Sequence, residues 1–284
     1  MKGTVFYKMS GSGNDFVFLD ARYTPEASCT AEAVSAICER RKGVGADGVV
    51  LLGRGRGSKK GRVSFVFFNS DGSRAPMCGN AALCATRLAV RLELTPGPDM
   101  VLETESGDLR SRSLDGPDER AQLFLEDFQA NTAVSVEKRG GESGIWSLTV
   151  GVPHVVVEVE SLEGDELMER GRKLRFHEAF EPGGANVNFV SQGRGRGRRP
   201  GEWMMRSYER GVEGETMACG TGAVACAAIL ANKGVVTLPW EVKTVSGSVL
   251  RVEGKPIGDG SGSVGLENPS LIGEARLVMT GILA

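Results

Sequence analysis

Two short segments of this chain carry residues suited to proton chemistry. Cys78 stands before Gly79 and Asn80, and Cys219 before Gly220 and Thr221. Each segment runs on into small apolar residues that read as a helix. A thiol at a helix start lies beside backbone N–H groups that have no partner inside the helix. Their partial positive charge lowers a thiol's pKa and offers a berth for a carboxylate. With Asn80 and Thr221 read as the capping residues, each cysteine immediately precedes a first turn. Two such helix ends, face to face across a cleft between two halves, would let one cysteine approach a substrate carbon from each side. That arrangement suits removal of an α-proton on one face and return of a proton on the other. Thiolate and thiol form the acid/base pair, and the substrate carboxylate lies between the helix ends. Cys84 and Cys226 fall further along the same apolar helices and read as core, as do Cys29 and Cys38.

The two cysteine segments belong to a repeat. Cys78 and Cys219 are 141 residues apart, and Phe68-Asn69 matches Tyr208-Glu209 at an offset of 140. Gly45-Ala46-Asp47-Gly48-Val49 matches Gly184-Ala185-Asn186-Val187-Asn188 at 139, and the segment from Gly13 to Phe18 matches that from Gly151 to Val156 at 138. Four blocks in one order, with an offset drifting by a residue at a time, indicate two homologous halves. Their bounds are read as 1–118 and 119–272, with a C-terminal strand, 273–284, returning to the first half.

Each half has the same predicted layout. A strand (15–20; 155–159) leads to a helix, begun in the first half by Thr30 as N-cap and covering about 165–174 in the second. The spacing of Val34, Ile37 and Cys38 gives the first of these helices its apolar stripe. A hairpin follows, 49–52 with 63–68 and 188–191 with 203–208. The last helices, 81–90 and 222–233, are small and apolar nearly all round, which marks buried helices. Lys233-Gly234 stops the second. The expected fold class is α/β (α+β), two pseudosymmetric domains, each a mixed, mainly antiparallel sheet curled around a central buried helix.

Composition bounds the function. In 284 residues, 40% apolar and 25% charged, the formal net charge is −2. Nothing global draws such a chain to nucleic acid or an anionic membrane. The arginine–glycine stretches 53–60 and 193–199 fall at equivalent loops and lack interleaved aromatics to stack bases, so they read as solvated turns. No apolar run approaches the roughly 18 residues of a membrane span, and the start lacks the apolar core of a signal peptide. The expectation is a cytoplasmic protein with a small-molecule substrate. Six cysteines without a Cys-x-x-Cys pair, and only two histidines, form neither a disulfide framework nor a zinc site.

The segments from Lys8 to Phe16, Phe68 to Ser73 and Met77 to Asn80, with Glu209-Arg210-Gly211 and Ala218 to Gly222, resemble the signatures of diaminopimelate epimerases. The resemblance runs from the N-terminus to the last strand. It implies an enzyme that interconverts LL- and meso-diaminopimelate for lysine and peptidoglycan synthesis, without metal, pyridoxal phosphate or nucleotide, often as a homodimer. By this resemblance Cys78 and Cys219 are the acid/base pair, and Gly79, Asn80, Gly220 and Thr221 hold the reacting carboxylate. Asn14, Asn69, Asn186 and Arg210 grip the distal end of the substrate, and Glu209 contacts an amino group. His154 and Glu209 stand at the positions that tune the thiols.

Two positions depart from the commonest form of the pattern. Gly48 stands where many members have Gln, and Val152 where many have Asn, so two side-chain amides are missing. Substrate identity is therefore less determined than reaction type. The open alternatives are a related cofactor-independent racemase acting on another amino acid, such as histidine or proline, a thiol-based redox or metal sensor, and a plain interaction module. The sensor predicts stoichiometric response to zinc or oxidant without α-proton exchange, and the module leaves the matched cysteines unexplained.

Overall fold

The computed structural model describes residues 1–56, 60–193, 201–258 and 262–284. The chain divides into two compact units, Met1–Phe124 with Ile272–Ala284, and Leu125–Leu271. The elements begin with β1 (Val5–Gly11), β2 (Asn14–Asp20), α1 (Ala31–Cys38), β3 (Gly48–Arg54), β4 (Arg62–Asn69) and β5 (Arg74–Ala75). α2 (Gly79–Arg91), β6 (Asp99–Thr104), β7 (Gly107–Ser113) and β8 (Arg120–Phe124) follow. Then come β9 (Phe128–Asn131), β10 (Glu142–Val150), β11 (Val152–Val159), α3 (Glu166–Arg175), β12 (Asn186–Gln192) and β13 (Trp203–Glu209). β14 (Gly214–Thr216), α4 (Gly220–Asn232), β15 (Trp240–Lys243), β16 (Val249–Pro256), β17 (Ser263–Glu274) and β18 (Arg276–Ile282) complete the chain.

The pairing within each unit is the same. β1–β2 and β10–β11 are antiparallel hairpins. β2–β3 and β11–β12 are parallel, and the crossover that a parallel pair needs is supplied by α1 or α3. β3–β4 and β12–β13 are antiparallel, and β4–β6 and β13–β15 are parallel. β18 pairs antiparallel with β1.

The central strands β2, β3, β11 and β12 are covered on both faces and read as nearly continuous apolar runs. The pleat sorts them. Phe16, Phe18, Val50 and Leu52 turn to the side of α2, whereas Val17, Leu19, Val49 and Leu51 turn to the side of α1. In the second unit Val156 and Val190 face α4, and Val155, Val157, Val187 and Phe189 face α3. α1 shows only a stripe, Val34, Ile37 and Cys38, with Thr30 as its N-cap accepting from the Ala33 N–H at 3.3 Å. α2 contacts β1, β2, β3, β4, β6, β7, β8 and β18, and α4 contacts β10, β11, β12 and β16. Alanine makes such enclosure workable: Ala223, Ala225, Ala227 and Ala228 have no exposed surface, and small side chains let strands approach a helix from every side. Gly234, at φ 69°, ends α4. Its N–H donates to the Ala231 carbonyl (3.0 Å), and that of Val235 to the Leu230 carbonyl (2.9 Å).

Two expectations need correction. Both central helices start earlier than expected, at Gly79 and Gly220, so the N-cap residues are Cys78 and Cys219 themselves, not Asn80 and Thr221. The cysteines take extended backbone angles (φ −136°, ψ 121°; φ −114°, ψ 103°), as an N-cap must. The second repeat block is out by one. Phe16 faces Gly48 in the ladder, and His154 faces Asn186, so the offset there is 138 and Gly48 matches Asn186. Matching glycines and alanines by sequence leaves such a slip free, whereas a ladder does not. Residues 57–59 and 194–200, most of the two arginine–glycine loops, lie outside the described residues.

A helix without a solvent face has no room for added bulk. Ala225→Leu in α4 is expected to cost about 1–3 kcal/mol, whereas Ala36→Leu on the exposed face of α1 costs little. Urea unfolding of the two variants reads the difference.

Candidate active site

In the first unit a chain of hydrogen bonds leads from charged groups to the start of α2. Lys8, buried on β1, pairs with Asp15 (2.6 Å) and donates to the Gly45 carbonyl. Arg40 forks onto Asp15 (3.1 and 2.8 Å) and reaches Asp47 (2.6 Å). These two cations hold the Asp15 carboxyl below its ordinary pKa although burial opposes them. Asp47 accepts from the Asn14 side chain (2.9 Å) and the Asp15 N–H (3.2 Å). Asn14 in turn accepts from the Asn80 amide at 2.9 Å. So Asn14 and Asn80 are brought together beside half-buried Cys78 and Gly79. Asn69, on β4 opposite Gly48, bonds instead to the Ser73 hydroxyl (3.0 Å). Gly48 is closed to any side chain. A Cβ there would meet the Phe68 carbonyl at 2.5 Å and the Phe67 ring at 2.6 Å, so the missing amide leaves no empty cradle.

In the second unit Cys219 is buried, its Sγ 4.0 Å from the Thr221 hydroxyl. Its thiol hydrogen-bonds to Glu209, the last residue of β13, whose carboxylate also accepts from Thr216 on β14. Burial first, and the Glu209 charge second, push the thiol well above the ordinary cysteine value. The Gly222 N–H and Thr221 hydroxyl at the helix start pull the other way. Cys219 thus rests as a thiol with an acceptor beside it. Burial raises the Glu209 carboxyl too, against the bonds from Thr216 and Cys219. Asn186 Oδ1 accepts from the Arg210 backbone N–H (2.8 Å), which ties the end of β12 to that of β13. The Arg210 guanidinium lies beside Gly183, and among the described residues it has no carboxylate partner. A half-buried, unpaired guanidinium is a ready bidentate site for an incoming carboxylate.

His154 is completely buried on β11. Its Nδ1 lies 3.1 Å from the Asn188 amide nitrogen. Burial and the nearby Arg210 charge lower its pKa to about 3, against the pull of the Val150 carbonyl, so the ring is neutral. The sequence reading missed Asn188, Thr216 and Asp47. Asn188 left a signal, a polar residue at an inward strand position between Val187 and Phe189. Asp47 and Thr216 left none, because only the folded chain brings them to Asn14 and Glu209.

The family model for diaminopimelate epimerase matches residues 6–118 and 146–259. The chain is 40% identical over 283 residues to the diaminopimelate epimerase of Gemmatimonas aurantiaca, covering 98% of this chain and 99% of that one. The chain belongs to the diaminopimelate epimerase family. It is an isomerase. Within the family's reach lies an O-ureido-serine racemase of Streptomyces lavendulae, 34% identical over 81% of each chain. A Bacillus anthracis protein of the phenazine biosynthesis PhzF family has the same fold, with a TM-score of 0.71 at 14% identity over the whole of both chains. Among the described residues no helix is long and apolar enough to cross a membrane, and no group of three His, Cys, Asp or Glu side chains is placed to hold a metal ion.

The buried neutral imidazole has a consequence for stability. Unfolding returns His154 to its ordinary value of 6.5 from about 3. The unfolded chain therefore binds the extra proton between those values. The folded state has its full advantage above 6.5 and loses it as pH falls toward 3. Replacing His154 by Gln is expected to flatten the acid side of the stability profile by up to about 1.4 kcal/mol per pH unit. Urea unfolding at a series of pH values checks this, and equal slopes would contradict it.

Proposed function

We propose that this enzyme interconverts LL- and meso-2,6-diaminopimelate by a two-thiol mechanism. One cysteine of the pair Cys78 and Cys219 removes the α-proton from one face as a thiolate, and the other returns a proton to the opposite face as a thiol. The observation that carries the reading is that each unit sets a cysteine at the N-cap of its enclosed helix, at matching positions of the repeat. A carboxylate bound to the N–H groups of Gly79, Asn80, Gly220 and Thr221 acidifies the α-proton by sharing the charge that develops when it leaves. Glu209 accepts the Cys219 proton when that residue must act as base, and regains a neutral neighbour when it acts as acid. The proton count balances over the cycle, one taken and one given, and no electrons move.

The distal amino acid end is assigned to Asn14, Asn69, Asn186 and Arg210, and support for a second carboxylate comes from the unpaired Arg210 guanidinium. The same reading places the reaction in lysine and peptidoglycan synthesis, in the cytoplasm, with two domains bounded near 118 and 272 and a homodimer as the working unit. A second reading, racemisation of another amino acid, is favoured by the O-ureido-serine racemase among the relatives and by apolar Val152.

The deciding experiment follows the α-proton by NMR in D₂O with LL-diaminopimelate, reduced thiols and no added cofactor. Exchange with meso product supports the proposal. No exchange there, with exchange on another amino acid, favours the second reading. Cys78→Ala and Cys219→Ala are each expected to lower kcat by about 10²–10⁴, and turnover near wild type in either would end the two-thiol mechanism. Arg210→Lys keeps the charge but loses the fork, and should raise KM about tenfold. An unchanged KM would remove Arg210 from the distal carboxylate.

A further inference from the structure

The two units differ at one buried place. On the side of β2, β3 and β4 that faces α2, Phe16, Val50 and Phe67 pack together, the two rings edge to face at 6.0 Å. Val50 lies opposite Phe67 in the ladder. The matching positions of the second unit, opposite each other in the same register, are Asn188 and Ser207, with His154 in place of Phe16. The fold therefore packs with hydrocarbon here, and three polar side chains in its place are not a requirement of folding. All three are buried, and buried polar groups are costly unless paired.

Their pairing is directional. The Ser207 hydroxyl donates to Asn188 Oδ1 at 2.9 Å. The Asn188 amide nitrogen faces both His154 Nδ1 (3.1 Å) and the Val155 carbonyl (3.4 Å). A backbone carbonyl only accepts, so the atom facing it is the NH₂ group, and the same NH₂ donates to the imidazole. Nδ1 then carries the lone pair and Nε2 the hydrogen. Nε2 is buried and, among the described residues, makes no hydrogen bond of ordinary geometry, although the Val150 carbonyl lies near enough to act on the ring. Asn188 reaches this position because residue 222 has no side chain. A Cβ there would lie 2.1 Å from Asn188 Oδ1 and 3.0 Å from Cys219 Sγ.

We propose that Asn188 is a positioning residue that locks His154 as the Nε2–H tautomer, so that the imidazole serves the reaction as a hydrogen-bond donor to an anion and not as a base. Ser207 holds the Asn188 amide, and Gly222 gives it room beneath the first turn of α4. Burial first, and the charge of Arg210 second, disfavour imidazolium, so a proton taken up by His154 would not be kept. A neutral donor stabilises a thiolate or carboxylate without removing its own competence at neutral pH. The inference deepens the proposed role of His154 and rests on it for its consequence in turnover, whereas the tautomer is measured without substrate.

The chain has only His154 and His177, so ring-¹⁵N-histidine labelling of the full-length protein gives two imidazoles, and His177→Gln assigns them. Two- and three-bond ¹H–¹⁵N correlation spectra report which nitrogen is protonated. His154 is expected to show protonated Nε2 and bare Nδ1, unchanged from about pH 5 to about pH 8. In Asn188→Asp the new carboxylate accepts from Nδ1, so Nδ1 becomes protonated. In Asn188→Ala both tautomers are populated. For both variants kcat falls about tenfold or more with KM within about twofold. A wild-type ring protonated on Nδ1, or titrating within that window, overturns the proposal, as does an unchanged tautomer in both variants. Should neither variant fold, the wild-type spectrum decides alone. An Nε2–H ring in a chain inactive on diaminopimelate supports the tautomer lock while overturning the substrate reading.

Discussion

Each unit is organised around a helix that has no solvent face. Enclosing α4 in strands buries the start of that helix, and there the N–H groups that a helix cannot satisfy internally become the strongest fixed dipoles available. A thiol at that N-cap is subject to two opposed effects. Desolvation drives Cys219 toward the protonated form, and the Gly222 N–H with the Thr221 hydroxyl stabilises the thiolate. Burial dominates, so the resting group is an acid that needs an acceptor, and Glu209 stands beside it. Were the helix start exposed, water would screen both effects and the cysteine would be an ordinary surface thiol.

The repeat supplies the same framework twice, and the chemistry comes from where the copies part. The first unit stiffens its helix start through a relay from Lys8 through Asp15 to Arg40, and from Arg40 by way of Asp47 and Asn14 to Asn80. The second has no such relay at the matching strand end, where Val152 replaces Asn14 and Pro153 replaces Asp15. It holds polarity deeper, in His154, Asn188 and Ser207, and at the strand ends in Asn186, Glu209 and Arg210. One unit thus presents oriented neutral amides beside half-exposed Cys78. The other presents a carboxyl-paired thiol and a free cation.

Charge placement sets one arginine apart from the others. Arg22, Arg40, Arg62, Arg112, Arg170, Arg175 and Arg206 all meet carboxylates, and their ion pairs pin loops and strand edges. Arg210 meets none among the described residues. A guanidinium kept half-buried without a counter-charge costs desolvation that no ion pair among the described residues offsets.

The sequence by itself determined the candidate cysteine pair and the layout around it. The cysteine segments, the repeat and the all-round apolar helices are local patterns, and they single out Cys78 and Cys219 as a matched pair, whereas Glu209 and Arg210 were named only by the resemblance to the epimerase family. The fold class followed from periodicity, since a strand buried on both faces and a helix buried on all sides each leave a distinct apolar signature. The exact helix starts, the one-residue register of the second block and the partners of Asp47, Thr216 and Asn188 were settled only by tertiary structure. Asp47 is separated from Asn14 by 33 residues and Asn188 from His154 by 34, and no local pattern reports a partner at that distance. Which direction a buried amide donates, and hence which nitrogen of His154 holds a proton, depends on a carbonyl supplied by the neighbouring strand. That information exists only once the strands are in register.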